Sequence, residues 1–340
     1  MATLLLGLLA SGLVTLIPAT ITIAVLWWLD RYEKEPLWLL GIMFFWGAVP
    51  TIIMSLLAQI LLDVPVTALL GDSILTSMTS AGLVAPLTEE TFKALILLIM
   101  YLVYRKEFDG VTDGILYGAL VGFGFSVVEN VLYFMGSLFE GGWSAWGTTV
   151  AFRVGLYHLN HSLFAACVGV GFGLARNARE TWKRLLYPFL GWLVAVTLHA
   201  THNGGIVLSE TTSGLSCLIL TVVDWMGALG MLILIVLAVQ RERRWLAELD
   251  AEVKDGFITD GERQVAIHYR MRLARGWRVL GRHGVLTWFR WNRFVQMIVD
   301  LGYRKHQKRR AGEDAKIDTW IAELRQRIVT ARLGLPQMEE

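Results

Sequence analysis

The chemistry of this chain starts at Glu89, Glu90 and Lys93, three charged residues inside the otherwise apolar run Gly82–Tyr104. Even the mildest scale puts one charge at the centre of a membrane helix at about 2.5–3.5 kcal/mol, so such residues face a bundle interior and serve a site. Lys93 stands four residues from Glu89 and three from Glu90, on the same helical face, and can neutralise one of the two carboxylates. The other, buried beside a like charge, is suited to take a proton from water.

Further ionisable or amide residues recur in later apolar runs: Glu129 and Asn130, then Arg153, His158, Asn160 and His161, then His199, His202 and Asn203, with Asp224 in the last. Phe125 to Glu129 and His199 to Asn203 are i,i+4, while His158 to His161 and His199 to His202 are i,i+3, spacings that place each set on one helix face. Imidazoles and carboxylates gathered in this way can work as general bases, as metal ligands or as both.

These residues must be positioned by membrane helices. The hydrophobic residues make up 55% of the chain and mean hydropathy is +0.51, which argues against a water-soluble globule. Runs of about 20 apolar residues fall at Leu4–Trp28, Pro36–Leu62, Gly82–Tyr104, Gly110–Gly136, Thr149–Ala175, Leu185–Leu208 and Leu215–Val239. The expected fold is therefore an all-α polytopic membrane helix bundle of about seven spans. The first run is too long for a signal-peptide core and has no basic n-region, so it is expected to be a retained span. Cys167 and Cys217 lie in apolar runs without metal-type spacing and are expected to pack.

Loop charge sets the expected orientation. Arg31 and Lys34, Arg105 and Lys106, Arg176 to Arg184, and Arg241 to Arg244 occupy alternate connections, whereas Asp63, Asp72, Glu140 and Glu210 occupy the others. The positive-inside rule then puts the N-terminus outside and the C-terminus inside. Counting 1.5 Å per residue from the outer ends, Glu89 and Glu129 lie roughly 10 Å deep, His161 about 18 Å, His199 about 14 Å and Asn203 about 8 Å. Four helices running in both directions thus bring their polar residues to one depth, a buried chamber nearer the extracytoplasmic side.

Composition divides the chain into a membrane region, 1–240, and a cytosolic region, 241–340. The latter holds 21 of the 31 Lys and Arg against 14 of the 29 Asp and Glu. Its apolar residues recur at helical spacing, as in Trp245, Leu249 and Val253, and the Thr259-Asp260-Gly261-Glu262 turn separates helices. The region is read first as a solvated helical regulatory or partner module, with the alternative that its Arg-rich, Trp-bearing stretch Arg270–Arg293 lies on an anionic membrane leaflet. No nucleic-acid reading motif is present, so nucleic acid is not an expected partner.

Gly110, Gly114, Gly118 and Gly122 form a small-residue ridge that lets the fourth segment approach a neighbour closely and is expected to hold Glu129 near the third. Phe125 is read as a wall of the chamber. Arg153 and Asp224 are read as a folding pair or access-path residues.

Taken together, Pro86-x-x-Glu89-Glu90-x-x-Lys93, Asp113-Gly114-x-x-Tyr117-Gly118 leading through Gly122-x-Gly124-Phe125 to Glu129-Asn130, His161 with Gly169 and Gly173, and His199-x-x-x-Asn203 resemble the four motifs of PrsW-type intramembrane proteases. These are distant relatives of CAAX-processing and bacteriocin-processing membrane proteases. The resemblance covers about Gly82–Gly204 with motif order preserved. It implies proteolysis of membrane-protein substrates by an integral protein of a bacterial plasma membrane, often extracytoplasmically and as the first step in freeing a sigma factor from a membrane-bound inhibitor. It also implies Glu89 and Glu90 as the catalytic pair, Glu129 as the acid of the second helix, and His161 and His199 as imidazoles with Asn203 as helper. His158 competes with His161 for the family histidine. The long basic C-terminal region departs from the family's plan.

Two mechanisms fit these residues. In one, His161, His199 and a carboxylate, Glu90 or Glu129, bind Zn²⁺ while Glu89 deprotonates water. In the other, no metal takes part: Glu89 activates water with a neighbouring His, and His199 and Asn203 stabilise the oxyanion. No H-E-x-x-H helix is present. Ser126 and Ser162 lack the surroundings of a serine nucleophile, and Asp113 and Asp224 do not form a paired-aspartate signature. The rival functions are an ion-coupled transporter, for which no inverted repeats are visible, and an inactive scaffold whose tail recruits partners.

Overall fold

The computed structural model describes residues 2–29, 35–104, 107–311 and 315–336. All regular elements among the described residues are helical, with no strand, as the composition requires. Contacts divide the chain into two compact units at Ile235–Val236.

The first unit holds α1 (Ala2–Leu29), α2 (Leu37–Trp46), α3 (Ile52–Leu70), α4 (Ile74–Thr79), α5 (Ala85–Val103), α6 (Val111–Val150), α7 (Asn160–Arg176), α8 (Thr181–Val207) and most of α9 (Leu215–Trp245). By length and composition, five stretches can cross a membrane: Thr3–Trp28, Leu37–Leu70, Val111–Arg176, Thr181–Val207 and Leu215–Lys254. The longest takes in the fourth and fifth expected segments. The third expected segment falls on α5, whose apolar run is broken by Glu89, Glu90 and Lys93. Large apolar side chains on the outer helices, such as Leu9, Leu61 and Leu69, are exposed, as suits helices surrounded by lipid. The basic residues Arg31, Lys34, Arg105 and Lys106, on which the expected orientation leans, lie outside the described residues.

α6 is the central helix of this unit. Its residues from Thr112 to Val127 are buried without interruption. Asp113 Oδ2 accepts from the backbone N–H groups of Asp109 and Gly110, both at 2.8 Å, and so closes the start of the helix. Around it pack Leu39, Met43, Leu97, Met100, Phe164 and Val168, all essentially fully buried. A Cβ on Gly114 would lie 2.1 Å from Gly169 O, one on Gly118 2.4 Å from Ala165 O, and one on Gly122 2.2 Å from His161 O. The glycine ridge therefore seats α6 on the backbone of α7, the fifth expected segment, and not on the third.

The fifth expected segment is also not one helix. Helical geometry breaks first at Gly141 and Gly142, where φ of Gly142 is +67°, in the expected connection between the fourth and fifth segments, and the stretch that resumes ends in a wide π turn, Ala151–Leu156, inside the fifth. A bend at Tyr157–Leu159 precedes α7. Arg153 and His158 consequently do not share a helix face with His161. Two other π turns, Gly47–Thr51 around Pro50 and Ser80–Val84 just before Pro86, interrupt the α2–α3 and α4–α5 runs. Proline cannot donate the helical hydrogen bond, so the backbone widens at such points.

The second unit carries α10 (Leu249–Lys254), α11 (Asp260–Ile267), α12 (Tyr269–Ala311) and α13 (Ala315–Leu333). Its own core includes Leu246, Leu249, Ile298, Val299, Leu301 and Ile328, all fully buried. Thr259 Oγ1 accepts from Glu262 N at 3.1 Å while Glu262 Oε2 accepts from Thr259 N at 2.8 Å, a capping box that starts α11 at the expected turn. Glu252, fully buried, accepts from Lys305 Nζ and Arg325 Nη2, each at 2.5 Å, tying α10 to α12 and α13. Burial pushes this carboxyl up, and the hydrogen bonds from Arg325 and Lys305 outweigh it, so the group sits below the usual carboxylate range.

Candidate active site

Glu89, Glu90 and Lys93 lie one turn into α5, on the face turned toward α7 and α8, and all three are buried. Lys93 Nζ donates to Glu90 Oε1 at 2.7 Å and to His161 Nδ1 at 3.2 Å, and stands 3.5 Å from Glu89 Oε2. It thus serves both carboxylates, with the Phe125 ring centre 3.9 Å beneath it. His199, on α8, donates through Nδ1 to Glu90 Oε1 at 2.9 Å. That bond turns the ring so that Nε2 faces Glu89 Oε2 at 3.9 Å. Phe164 stacks on the His199 ring at 5.0 Å and holds its plane.

His161 starts α7 and reaches the same cluster. Because an ammonium only donates, Nδ1 accepts from Lys93 and Nε2–H points to Glu129 Oε2 at 2.8 Å. Glu129 is gripped in turn by Arg153 Nη2, and Arg153 Nε donates to Asn130 Oδ1 at 2.6 Å. Glu129 therefore meets the cluster through His161 and is already ion-paired.

Glu89, Glu90, His161 and His199 have their ligand atoms within 4.8 Å of one another. Glu89 Oε2 and Glu90 Oε2 are buried and accept no hydrogen bond from the described residues. Buried carboxylate oxygens left in this way need a cation or water, and two imidazoles with two carboxylates are a donor set suited to a zinc-like divalent ion. The residues present fit such an ion. His161 differs from His199 in that both its nitrogens are already engaged, so it could serve as a ligand only by releasing Lys93 or Glu129.

Other residues singled out from the sequence lie elsewhere. Asn203 donates from Nδ2 to Ala81 O at 2.9 Å, so its amide secures the π turn ahead of α5 and does not join the cluster. His158 Nε2 is 3.1 Å from Thr22 Oγ1 on α1 and its ring lies against Phe123, away from Glu89. Arg153 and Asp224 are not partners of each other. Asp224 Oδ2 instead receives Asn160 Nδ2 at 2.9 Å and sits 2.8 Å from His202 Nδ1, joining α7, α8 and α9 directly beside the two imidazole positions.

Gln59 was not among the expected site residues. Its Nε2 donates to Glu89 Oε1 at 3.2 Å and so orients the carboxylate from α3. Gln59 is the one amide within Ile52–Leu62, a signal of the same kind that marked Glu89.

The model of the "PrsW family intramembrane metalloprotease" matches residues 35–243, more than half of the chain. The chain is 28% identical over 201 residues to Protease PrsW of Clostridioides difficile (strain 630), covering 58% of this chain and 79% of that protein. It is 30% identical over 182 residues to Protease PrsW of Geobacillus kaustophilus (strain HTA426), covering 53% and 72%. It is 31% identical over 176 residues to Protease PrsW of Bacillus subtilis (strain 168), covering 51% and 72%. No solved structure matches the chain. The chain belongs to the PrsW family of intramembrane proteases and is an integral peptidase of a bacterial membrane.

Proposed function

We propose that this peptidase cleaves membrane-protein substrates with water activated by Glu89, at a bond toward the extracytoplasmic side of the substrate's span. The observation that carries the reading is Glu89 Oε2, which accepts no hydrogen bond among the described residues and faces His199 Nε2 at 3.9 Å. A carboxylate oxygen that accepts no hydrogen bond is available to take a proton, and Gln59, donating to the other oxygen, Oε1, fixes the direction the group faces.

The step balances within the residues named. The water oxygen adds to the scissile carbonyl carbon as Glu89 takes its proton. Collapse of the tetrahedral intermediate breaks the C–N bond as that proton passes to the departing amine. Lys93, close to both carboxylates, keeps the pocket from holding two uncompensated negative charges. Glu90 holds the His199 tautomer, and Glu129 holds that of His161. Should a divalent ion bind, Glu90, His161 and His199 would hold it, and it would supply Lewis-acid polarisation.

The outward position of the cut rests on the depth of Glu89, roughly 10 Å from the outer end of its run. Purified full-length chain in proteoliposomes, given a panel of single-span substrates, tests both points. Glu89→Gln should fold and elute as the parent does and lose at least about a hundredfold in cleavage rate. Parental turnover by Glu89→Gln would remove Glu89 from the chemistry. Mass spectrometry of the products should place the new termini in the outer half of the substrate span, and termini in the cytoplasmic third would overturn the direction.

A further inference from the structure

Residues 263–299 contain eight arginines, three tryptophans and no Asp or Glu, in a chain whose overall charge is only +2. They run from α11 through the first two thirds of α12, where the helix breaks at Gly284 with φ +78°. Before the break, Leu273 and Trp277 stand one turn apart and are 44% and 69% exposed. After it, Val285, Leu286 and Phe289 are each at least 60% exposed. Arg270, Arg278, Arg282, Arg290 and Arg293 are exposed around these apolar groups and form no ion pair among the described residues.

An apolar strip this exposed normally finds a partner. The arginines choose its chemistry. Arg263, at the start of the stretch, pairs with Asp250, and Glu252 and Glu262 take Arg325 and Arg332 of α13, but the five exposed arginines have no such acid among the described residues. Trp, Leu and Phe set among arginines without an ion pair suit the boundary between lipid headgroups and acyl chains, and the helical segments on both sides of the break expose such groups.

We infer that the Leu273–Arg293 elbow of α12 docks on an anionic lipid surface, the apolar side chains entering the headgroup layer and the arginines pairing with lipid phosphates. The inference is independent of the protease reading.

The test uses the full-length chain carrying Cys167→Ala and Cys217→Ala, with an environment-sensitive fluorophore on Leu286→Cys. In proteoliposomes of phosphatidylcholine with phosphatidylglycerol, emission should shift to the blue relative to phosphatidylcholine alone, and high salt should reverse the shift. Arg278→Gln, Arg282→Gln and Arg290→Gln together remove three exposed charges, each worth about fivefold, and should lower the docked-to-free ratio on the order of a hundredfold. The same fluorophore on Gln326→Cys, on exposed α13 surface, should report water in both lipids. Identical Leu286 spectra in the two lipid compositions would overturn the inference. So would a blue shift that survives the triple substitution and follows protein concentration, which would assign the strip to a second copy of the chain.

Discussion

His199 is turned by Glu90: the 2.9 Å bond from Nδ1 to Glu90 Oε1 sets the ring so that Nε2 faces Glu89. Two adjacent carboxylates on one helix therefore hold different positions, one bonded to the imidazole and the other facing its second nitrogen.

This relationship predicts unequal effects of two conservative changes. Glu90→Gln keeps the shape but offers an amide that can donate to Nδ1 as well as accept from it, so the ring can flip its tautomer. Cleavage should fall by about 10²-fold or more through kcat, with KM little changed. Steady-state kinetics on a single-span substrate checks this. A rise in KM at constant kcat would instead place Glu90 in substrate binding.

The donor set makes metal content a direct measurement. Elemental analysis of purified, active chain should find about one equivalent of a divalent ion, and the double variant His161→Ala, His199→Ala should lose it. Chelation should suppress cleavage and added Zn²⁺ should restore it. Active protein without metal would leave Glu89 and His199 to act on water unaided.

The contact between α6 and α7 predicts an effect on geometry as well as on stability. Gly122→Ala would set a methyl 2.2 Å from the carbonyl of His161 and force the two backbones apart at the residue that meets Lys93. Overpacking of this kind costs typically 1–3 kcal/mol, and a shift of about 1 Å at the imidazole should cost cleavage about 10²-fold. Gly136→Ala, whose Cβ would meet nothing within 4 Å, is the control and should leave both melting and cleavage unchanged.

In the second unit, Glu252 predicts acid sensitivity. Its carboxyl is held below the ordinary carboxylate range in the folded chain, so the stabilisation is present above the unfolded value and lost as pH falls through the folded one. Melting of this unit, followed by hydrogen exchange on α10 and α13, should weaken as pH drops below the ordinary carboxylate range. Glu252→Gln should cost about 3 kcal/mol at neutral pH, because Lys305 and Arg325 lose their shared acceptor, and should flatten that acid limb. A limb unchanged by Glu252→Gln would move its origin to other carboxylates.

The helices were legible because apolar composition over about 20 residues leaves a backbone few options in lipid. Glu89, Glu90, Lys93, His161 and His199 stood out for the same reason: a buried charge is conspicuous against an apolar run. The limits of α7 were not legible from that signal. Tyr157–Leu159 contains neither Gly nor Pro, so hydropathy reads through the bend and sets His158 and His161 on one face. The break at Gly141-Gly142, by contrast, was legible, because it falls in the connection expected between Gly136 and Thr149. Asn203 was misplaced because spacing gives the face of a helix without giving which neighbour that face meets, and its partner is a backbone carbonyl that carries no sequence signature. Gln59 escaped because one neutral amide weighs little in a hydropathy sum.

The glycine seam bears on how a substrate reaches Glu89. Between α6 and α7 main chain rests on main chain, at Gly114 against Gly169 and at Gly118 against Ala165, with no side chain that could swing aside. Such a seam has no hinge and cannot part by rotamer changes, so it cannot be the door through which a second helix slides in from the bilayer. Entry must use a boundary closed by side chains, and cross-links placed along α6 and α7 should therefore leave turnover intact while those bridging the true gate stop it.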